Sequence, residues 1–414
     1  MVLLAHPFGN ANVRAVLSAL DNAGLLSQFV TALGWSSVSP LVQELPPTLR
    51  AQASRRGYEL PHYKIKVFPA REIVRLLAQK MRQRWLVDHQ RGWASVDRVW
   101  HELDKFAANT LRKSQERQRV RAVYAYEDCA EQLFAAAREL GVRRVYDLPI
   151  AYWQTVQRLL REEAQRYPDW EPTLGGTRDS EEKLARKTRE LDLAELVICP
   201  SAFVLDSLPD SVRAGKPCVV APFGSPSLPE GGAVEHKALD RPLRVLFAGA
   251  LTQRKGLADV FAAMKLLDSK KVELVVMGSL LRPLAWYREQ FPHFVYEPPR
   301  PHGDVLRLMQ TCDLFLLPSI VEGRALVQQE AMACGLPLIV TKNAGGEDLI
   351  TEGETGFLVP IRSPEAVADK INWCATNRGN LSGMAIAAQG RASELTWQRY
   401  GEEVLAAIRS FIGE

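Results

Sequence analysis

Leu243–Ala248 (LRVLFA) runs directly into residues 249–256 (GALTQRKG), and helical apolar spacing begins at once over 257–268. A strand-sized apolar run, a glycine turn and a helix start are the punctuation of a strand–loop–helix unit in a parallel sheet. The same punctuation recurs outward. Val272–Met277, Leu314–Leu317, 337–341 and 357–360 read as strands, with further helices over 303–311, 325–334 and 364–376. Upstream, strands are expected at 1–5, 120–126, 142–148, Leu196–Cys199 and 218–221. Helices are expected over 13–26, 71–87, 129–140, 153–166 and 184–193, with a Pro/Gly/Thr/Asp-rich loop at 168–180. Residues 224–242 (GSPSLPEGGAVEHKALDRP) are rich in Pro and Gly and lack apolar periodicity, as an interdomain linker does. The architecture expected is α/β, with two Rossmann-like domains over 1–225 and 243–396 and a linker at 226–242.

Length and composition agree. A chain of 414 residues exceeds one ordinary core, and 47% apolar with 24% charged residues is soluble globular composition. Apolar stretches are strand-sized, far short of the ~20 residues that span a bilayer. No basic n-region or cleavage site follows Met1, so no signal peptide is expected. Six cysteines stand apart without a CxxC pair, which fits reduced, buried thiols and excludes a disulfide or zinc framework. The net charge of +4 hides an asymmetry: residues 50–121 hold 18 Lys/Arg against 7 Asp/Glu, a local +11. Such a region faces an anionic partner or is a solvated helical surface. Within it Ile73, Val74, Leu77, Met81 and Trp85 recur at helical spacing, with Arg71, Arg75, Arg82 and Arg84 outside the stripe. Trp85, Trp93 and Trp100 could stack a sugar, but their spacing suits packing anchors better.

Ligands of such sheets sit beyond the carboxyl ends of the strands, often at helix N-termini. Three loops meet that rule. Residues 249–256 place Gly249, Arg254 and Lys255 at a helix start, suited to a diphosphate although neither GxGxxG nor a Walker A loop is present. The stretch 318–337 (PSIVEGRALVQQEAMACGLP) puts Glu322 in a loop and Glu330 within the following helix, with backbone N–H groups around Gly323, Arg324, Ala325 and Leu326 near the same crevice. An unpartnered Glu330 is unexpected in a helix otherwise so apolar and small. Residues 343–348 (NAGGED) form the third loop, whose glycines allow close backbone approach.

With FAGALTQRKG, DLFLLPS, EGRALVQQEAMACGLP and TKNAGGEDLITEGETGFLVP in this order, residues 244–360 resemble the donor domain of retaining glycosyltransferases of the GT-B fold, family 4. The second of those glutamates stands eight residues after the first, the E-x7-E motif of that family. The resemblance is strong over about 120 residues, moderate over 196–224 and weak before that. It implies a GT-B fold, with a closing helix around Trp397 and Tyr400 (397–414) crossing back to the first domain. It further implies that Lys255 and Arg254 bind the diphosphate of a nucleotide-sugar, that Glu322 sits near the transferred sugar, and that the backbone at Arg324–Leu326 holds sugar or phosphate oxygens. Glu330 would bind ribose hydroxyls, and the 299–304 stretch, with Arg300 and His302, would line the base beside Gly278. Ala250 and the Arg324-Ala325 pair depart from the family pattern, which often has Arg and Phe-Gly there. Arg254 could replace the missing cation; Arg324 could do so too, or meet a charged sugar or acceptor.

The activity implied is retaining hexosyl transfer, without a metal or other cofactor, from a nucleotide-sugar to a lipid-linked or cell-surface polysaccharide precursor or to a soluble acceptor. The absence of DxD and of any His/Cys/Asp cluster with ligand spacing agrees. The first domain is expected to hold the acceptor at its strand ends, through His6, Glu127, Asp128 and Asp147, with Gly9 and Asn10 approaching the diphosphate. Each has a plainer reading: Asp128 as a helix cap, Asp147 as a turn cap, His6 as a packed ring. The basic region then suits an anionic membrane surface, placing the enzyme in the cytoplasm or on the inner face of a membrane. A sugar-nucleotide epimerase and a nucleic-acid-binding module compete less well. The first would need no acceptor domain, and the second predicts aromatic interleaving that is missing, so no nucleic acid is expected.

Overall fold

The computed structural model describes residues 1–37, 56–115, 120–226, 240–268 and 270–413. Most of the expected linker, and residues 50–55 and 116–119 of the basic stretch, lie outside the described residues.

Two parallel sheets carry the chain. The first orders its strands Ile65–Val67, Leu26–Thr31, Val2–Ala5, Ala122–Tyr126, Arg143–Asp147, Leu196–Cys199, Cys218–Val220. The second orders them Val295–Glu297, Val272–Met277, Leu243–Ala248, Leu314–Leu317, Leu338–Val340, Gly356–Leu358. Numbered along the chain, these are 3-2-1-4-5-6-7 and 3-2-1-4-5-6, so each sheet reverses beside its first strand. That switch point is where doubly wound sheets take ligands. The middle strands explain themselves: Val2–Ala5 and Leu314–Leu317 are buried along their whole length, as strands covered by helices on both faces must be.

Several boundaries differ from the sequence expectation. The first helix stops at Asn22 and Leu26–Thr31 is a strand, because Gly24 takes φ 68° and turns the chain where Leu25 and Leu26 still continued the helical spacing. The short edge strands Ile65–Val67 and Val295–Glu297 and the helices Val96–Gln115 and Leu284–Gln290 were not anticipated. Residues 168–180 are not a free loop: Trp170 packs edge-on against Trp286 (4.8 Å) and beside Phe261, inside the core of the second sheet. The segment therefore belongs in space to the second half of the chain.

The closing helix Trp397–Ile412 lies on Ala11–Asn22 so closely that a Cβ on Gly401 would stand 2.7 Å from the Ala15 carbonyl oxygen. The expected 71–87 helix ends at Lys80 and is followed by a tight turn at Arg84–Leu86. Trp85 is 69% exposed and Trp93 49%, so neither is a packing anchor. Trp100 does pack, 5.2 Å from His6 and 5.9 Å from Phe8.

Candidate active site

Three strand-end loops of the second sheet are stitched together by backbone bonds. Ile320 N–H donates to the Arg254 carbonyl (2.9 Å), Glu322 N–H to Asn343 (3.0 Å) and Ala325 N–H to Ala344 (3.2 Å). The Ala325 N–H is thus used within the protein and is not open to a ligand, a correction to the expected run of free donors. At the junction the Glu322 carboxylate sits between two cations, 2.6 Å from Lys255 Nζ and 2.9 Å from Arg254 Nη1. Burial alone would raise the Glu322 pKa; Lys255 and then Arg254 overcome it and hold the carboxyl below its ordinary value. Glu322 is therefore an ionised acceptor, and the triad carries one net positive charge.

Two glycines let neighbouring groups close in beside it. Gly249 takes φ 144°, and a Cβ there would lie 2.8 Å from the Lys255 side chain. Gly278 takes φ 149°, with a Cβ position 1.7 Å from the Gly249 carbonyl oxygen. Only glycine fits either place. Gly278 N–H donates to the Glu297 carbonyl (3.0 Å), and the Glu297 side chain pairs with Arg300. Glu330 faces His302 at 3.7 Å, where burial raises the carboxyl's pKa against the opposing pull of the imidazole. Arg324 has no exposed side-chain surface: it bonds Gln329 Oε1 (2.9 Å) and pairs with Asp348 (2.6 Å). Its guanidinium is turned into the loop cluster, where Nη2 is buried without a hydrogen-bond partner. Leu326 begins the helix Leu326–Ala333 and packs partly into the first core.

Across the cleft, the first sheet's strand ends look different. His6 is fully buried among Trp100, Tyr126 and Phe8, and its Nδ1 accepts the Phe8 N–H (3.0 Å). Burial drives its pKa down to about 3, so it is a neutral packed ring. Asp147 lies in the core, where its Oδ2 accepts the hydroxyls of Tyr124 (2.5 Å) and Tyr400 (3.4 Å); burial raises its pKa to about 7. It offers no surface to an acceptor and caps no turn. Gly9 is wedged against Tyr58, its carbonyl accepting Arg14 Nε (2.9 Å), and Asn10 precedes the first helix without capping it through its side chain.

Glu127 and Asp128 remain together at the end of Ala122–Tyr126. Glu127 Oε2 lies 3.2 Å from Lys187 Nζ, while its Oε1 is buried without a hydrogen-bond partner. Burial raises the Glu127 pKa; Asp128, ringed by Lys187, Lys183 and Arg186, is lowered despite its burial. Asp128 adopts φ 72° and is not a helix cap. That work is done from elsewhere: Asp104 accepts the Gln132 and Leu133 N–H groups (2.7 and 2.9 Å), and Glu190 accepts those of Asp128 and Ala130 (2.9 and 3.2 Å). Caps supplied across 28 to 62 residues of sequence leave no local signal.

The two halves meet through groups the sequence did not flag. Glu163, wholly buried, accepts Gln253 Nε2 (2.7 Å) and pairs with Arg362, while Gln253 Nε2 also reaches Asp259 (2.9 Å). Ser201 Oγ donates to the Gly323 carbonyl (2.7 Å), and a Cβ on Gly323 would stand 1.8 Å from the Pro149 carbonyl oxygen.

Residues 234–391 match the family described as glycosyl transferases group 1. Among curated relatives, WcaL of Salmonella typhimurium, named as a colanic acid biosynthesis glycosyltransferase, is 32% identical over 148 residues, 33% of this chain and 36% of WcaL. A D-inositol 3-phosphate glycosyltransferase of Mycobacterium bovis is 35% identical over 121 residues, 28% of this chain and 25% of that protein. The chain thus spans about a third or less of the relatives it matches. Solved structures align end to end. Sucrose-phosphate synthase of Thermosynechococcus elongatus gives a TM-score of 0.64 at 17% identity over 100% of this chain and 99% of that one. Anabaena HepE, solved in complex with UDP, gives 0.61 at 16% identity over 99% of each. The fold is GT-B, with two Rossmann-like domains.

Proposed function

We propose that the chain is a glycosyltransferase that takes a hexose from a nucleoside-diphosphate sugar and delivers it to a glycan or lipid-linked precursor of cell-surface polysaccharide. One observation carries the reading: the Arg254–Glu322–Lys255 triad, with one net positive charge, stands at the switch point of the second sheet, in loops that Gly249 and Gly278 let pack closely together. An excess of positive charge at converging strand ends is what a diphosphate requires. The family match over the same residues supports it, as do the solved complexes of HepE with UDP and with UDP-glucose. Glu330 with His302 would take the ribose, and Arg300 with Gly278 would border the base. WcaL's name favours a polysaccharide precursor as acceptor.

In this reading the C1–O bond to the β-phosphate breaks while the acceptor oxygen bonds C1 from the same face, with retention. The acceptor proton passes to the departing diphosphate, whose growing charge meets Lys255 and Arg254; no metal is needed for that neutralisation. Glu322, held ionised, fixes both cations rather than moving a proton. On the acceptor side, Asp128, its carboxylate held by Arg186, Lys183 and Lys187, would orient the attacking hydroxyl, with Glu127 beside it. A thermal-shift panel of UDP, GDP, ADP and dTDP with their sugars tests the donor site. A ligand at 100 times its Kd adds about 2.7 kcal/mol. One nucleotide should stand out and lose its effect in Lys255→Ala and Glu330→Ala; no shift with any would overturn the reading.

A further inference from the structure

Arg254 and Lys255 are held from behind by the other half of the chain. Helix Trp153–Arg166 starts against the core of the first sheet, where Tyr152 is buried, and the strap that follows it ends with Trp170 in the core of the second. This strap grips the loop just before the two cations. Thr252 Oγ1 donates to the Thr173 carbonyl (2.7 Å), and the Gln253 N–H donates to Thr173 Oγ1 (3.3 Å). Gln253 is fully buried and uses both ends of its amide: Nε2 donates to Glu163 Oε2 (2.7 Å) and Asp259 Oδ2 (2.9 Å), while Oε1 accepts the Ala258 N–H (2.7 Å). The other carboxylate oxygens are taken too. Asp259 Oδ1 faces Arg166 Nη1 (2.7 Å) and the Tyr167 hydroxyl (3.2 Å), and Glu163 Oε1 pairs with Arg362. Arg362 reaches in from φ 62°, a left-handed conformation that a non-glycine residue keeps only where its surroundings fix it. On its far side the loop is tied to the Glu322 loop, where Ile320 N–H donates to the Arg254 carbonyl and a Cβ on Gly256 would stand 2.1 Å from the Pro318 carbonyl oxygen.

We propose that Gln253 is a positioning residue for transfer: through Glu163 and Thr173 it sets the place of Arg254 and Lys255 from the half of the chain that brings the acceptor. The proposal deepens the donor-site reading and rests on it. Gln253 is one peptide bond from Arg254 and two from Lys255, so a shift of its amide is a shift of both cations. Pulling it away would leave two buried carboxylates short of a donor, which is costly, so the loop stays with the strap. Binding and chemistry respond differently to such a shift. Attraction between a diphosphate and a cation falls only as the inverse of distance, whereas stabilising the departing oxygen depends on aim. The tether therefore acts on turnover more than on nucleotide affinity.

Thr173→Val and Gln253→Met, one on each side of the tether, test it. Hydrogen exchange over residues 250–258 should quicken about fivefold in both, the factor for one net hydrogen bond, with the remainder of the second domain unchanged. Donor hydrolysis, with water as acceptor, is measured on UDP-glucose and on the GDP, ADP and dTDP sugars. Its kcat should fall about 10²-fold while the donor KM stays within about threefold. Gln253→Lys, which again gives both carboxylates a donor, should recover at least about tenfold of that loss. A purely structural role would lower the folded fraction and leave kcat per folded molecule intact in every variant, and that result would overturn the proposal. So would exchange over 250–258 that is unchanged in both variants. A parent that binds none of the nucleotides would overturn the donor-site reading instead, and the exchange rates would still decide whether the strap holds the loop.

Discussion

At the scale of single residues, charge placement decides most of what is testable. Glu322 lies between Lys255 and Arg254 with little access to solvent, so Glu322→Gln keeps the shape and leaves two uncompensated cations side by side. The free nucleoside diphosphate should then bind as well or better, while kcat falls about 10²-fold, because the cations are no longer aimed at the leaving oxygen. Steady-state kinetics beside a UDP titration separates the two; a fall in UDP affinity as large as the fall in kcat would refute the positioning role. Asp147 makes a different prediction. The folded protein holds its proton up to about pH 7, whereas the ordinary value is 3.8. Its contribution to stability is therefore complete below pH 4 and is lost as pH rises through 7, amounting to at most about 4 kcal/mol. Asp104, raised by burial to about 7, adds a change of the same sign. Urea melts of Asp147→Asn across pH 4–8 should show a shallower decline than the parent's, and a parent curve that rises over this range would contradict the assignment.

Elements show what a sequence makes visible. The loops after Leu243–Ala248 and Leu314–Leu317 could be placed because glycine, Lys/Arg and Glu stand together at the end of a continuous apolar run, and every part of that signal is local. Leu26–Thr31 was hidden because Leu25 and Leu26 keep the helical period of the preceding segment past Gly24. The helix Ala70–Lys80 was visible as amphipathic, but its orientation depends on Arg56 reaching Glu72 from outside the helix, and periodicity cannot say which face is inside. The roles of Asp104 and Glu190 as caps, and of Trp170 as a core residue of the other sheet, are likewise long-range facts. Gly278 tests the loop geometry itself. Gly278→Ala would drive a Cβ to 1.7 Å from the Gly249 carbonyl oxygen at a left-handed φ, so strain of about 2–4 kcal/mol should appear in the second domain. Calorimetry is expected to show a lowered transition and a lost UDP shift; an unchanged melt would mean the two loops are not in contact.

For the whole molecule, the question is how the halves meet, and Gly323 is where it is sharpest. It belongs to the loop that holds Glu322, yet a Cβ on it would stand 1.8 Å from the carbonyl oxygen of Pro149, next to the end of Arg143–Asp147 in the other sheet, and its own carbonyl accepts Ser201 Oγ. Because the contact is backbone on backbone, alanine cannot be accommodated by a side-chain turn; either the loop or the domain must move. The Glu163–Gln253–Arg362 cluster holds the halves together at a separate point, so Gly323→Ala should open the cleft on one side rather than part the domains. The proposed donor groups Lys255, Arg254 and Glu330 all belong to the second domain, so UDP should bind within about twofold of the parent. Transfer, which needs an acceptor on the first domain within reach of the donor, should fall by about 10²-fold, since displacements near 1 Å cost that much in oriented reactions. Paired measurement of UDP affinity and turnover decides it. Equal loss of both would mean that the substitution has broken the donor loop, and loss of neither would mean that the cleft is wider in solution than this contact allows.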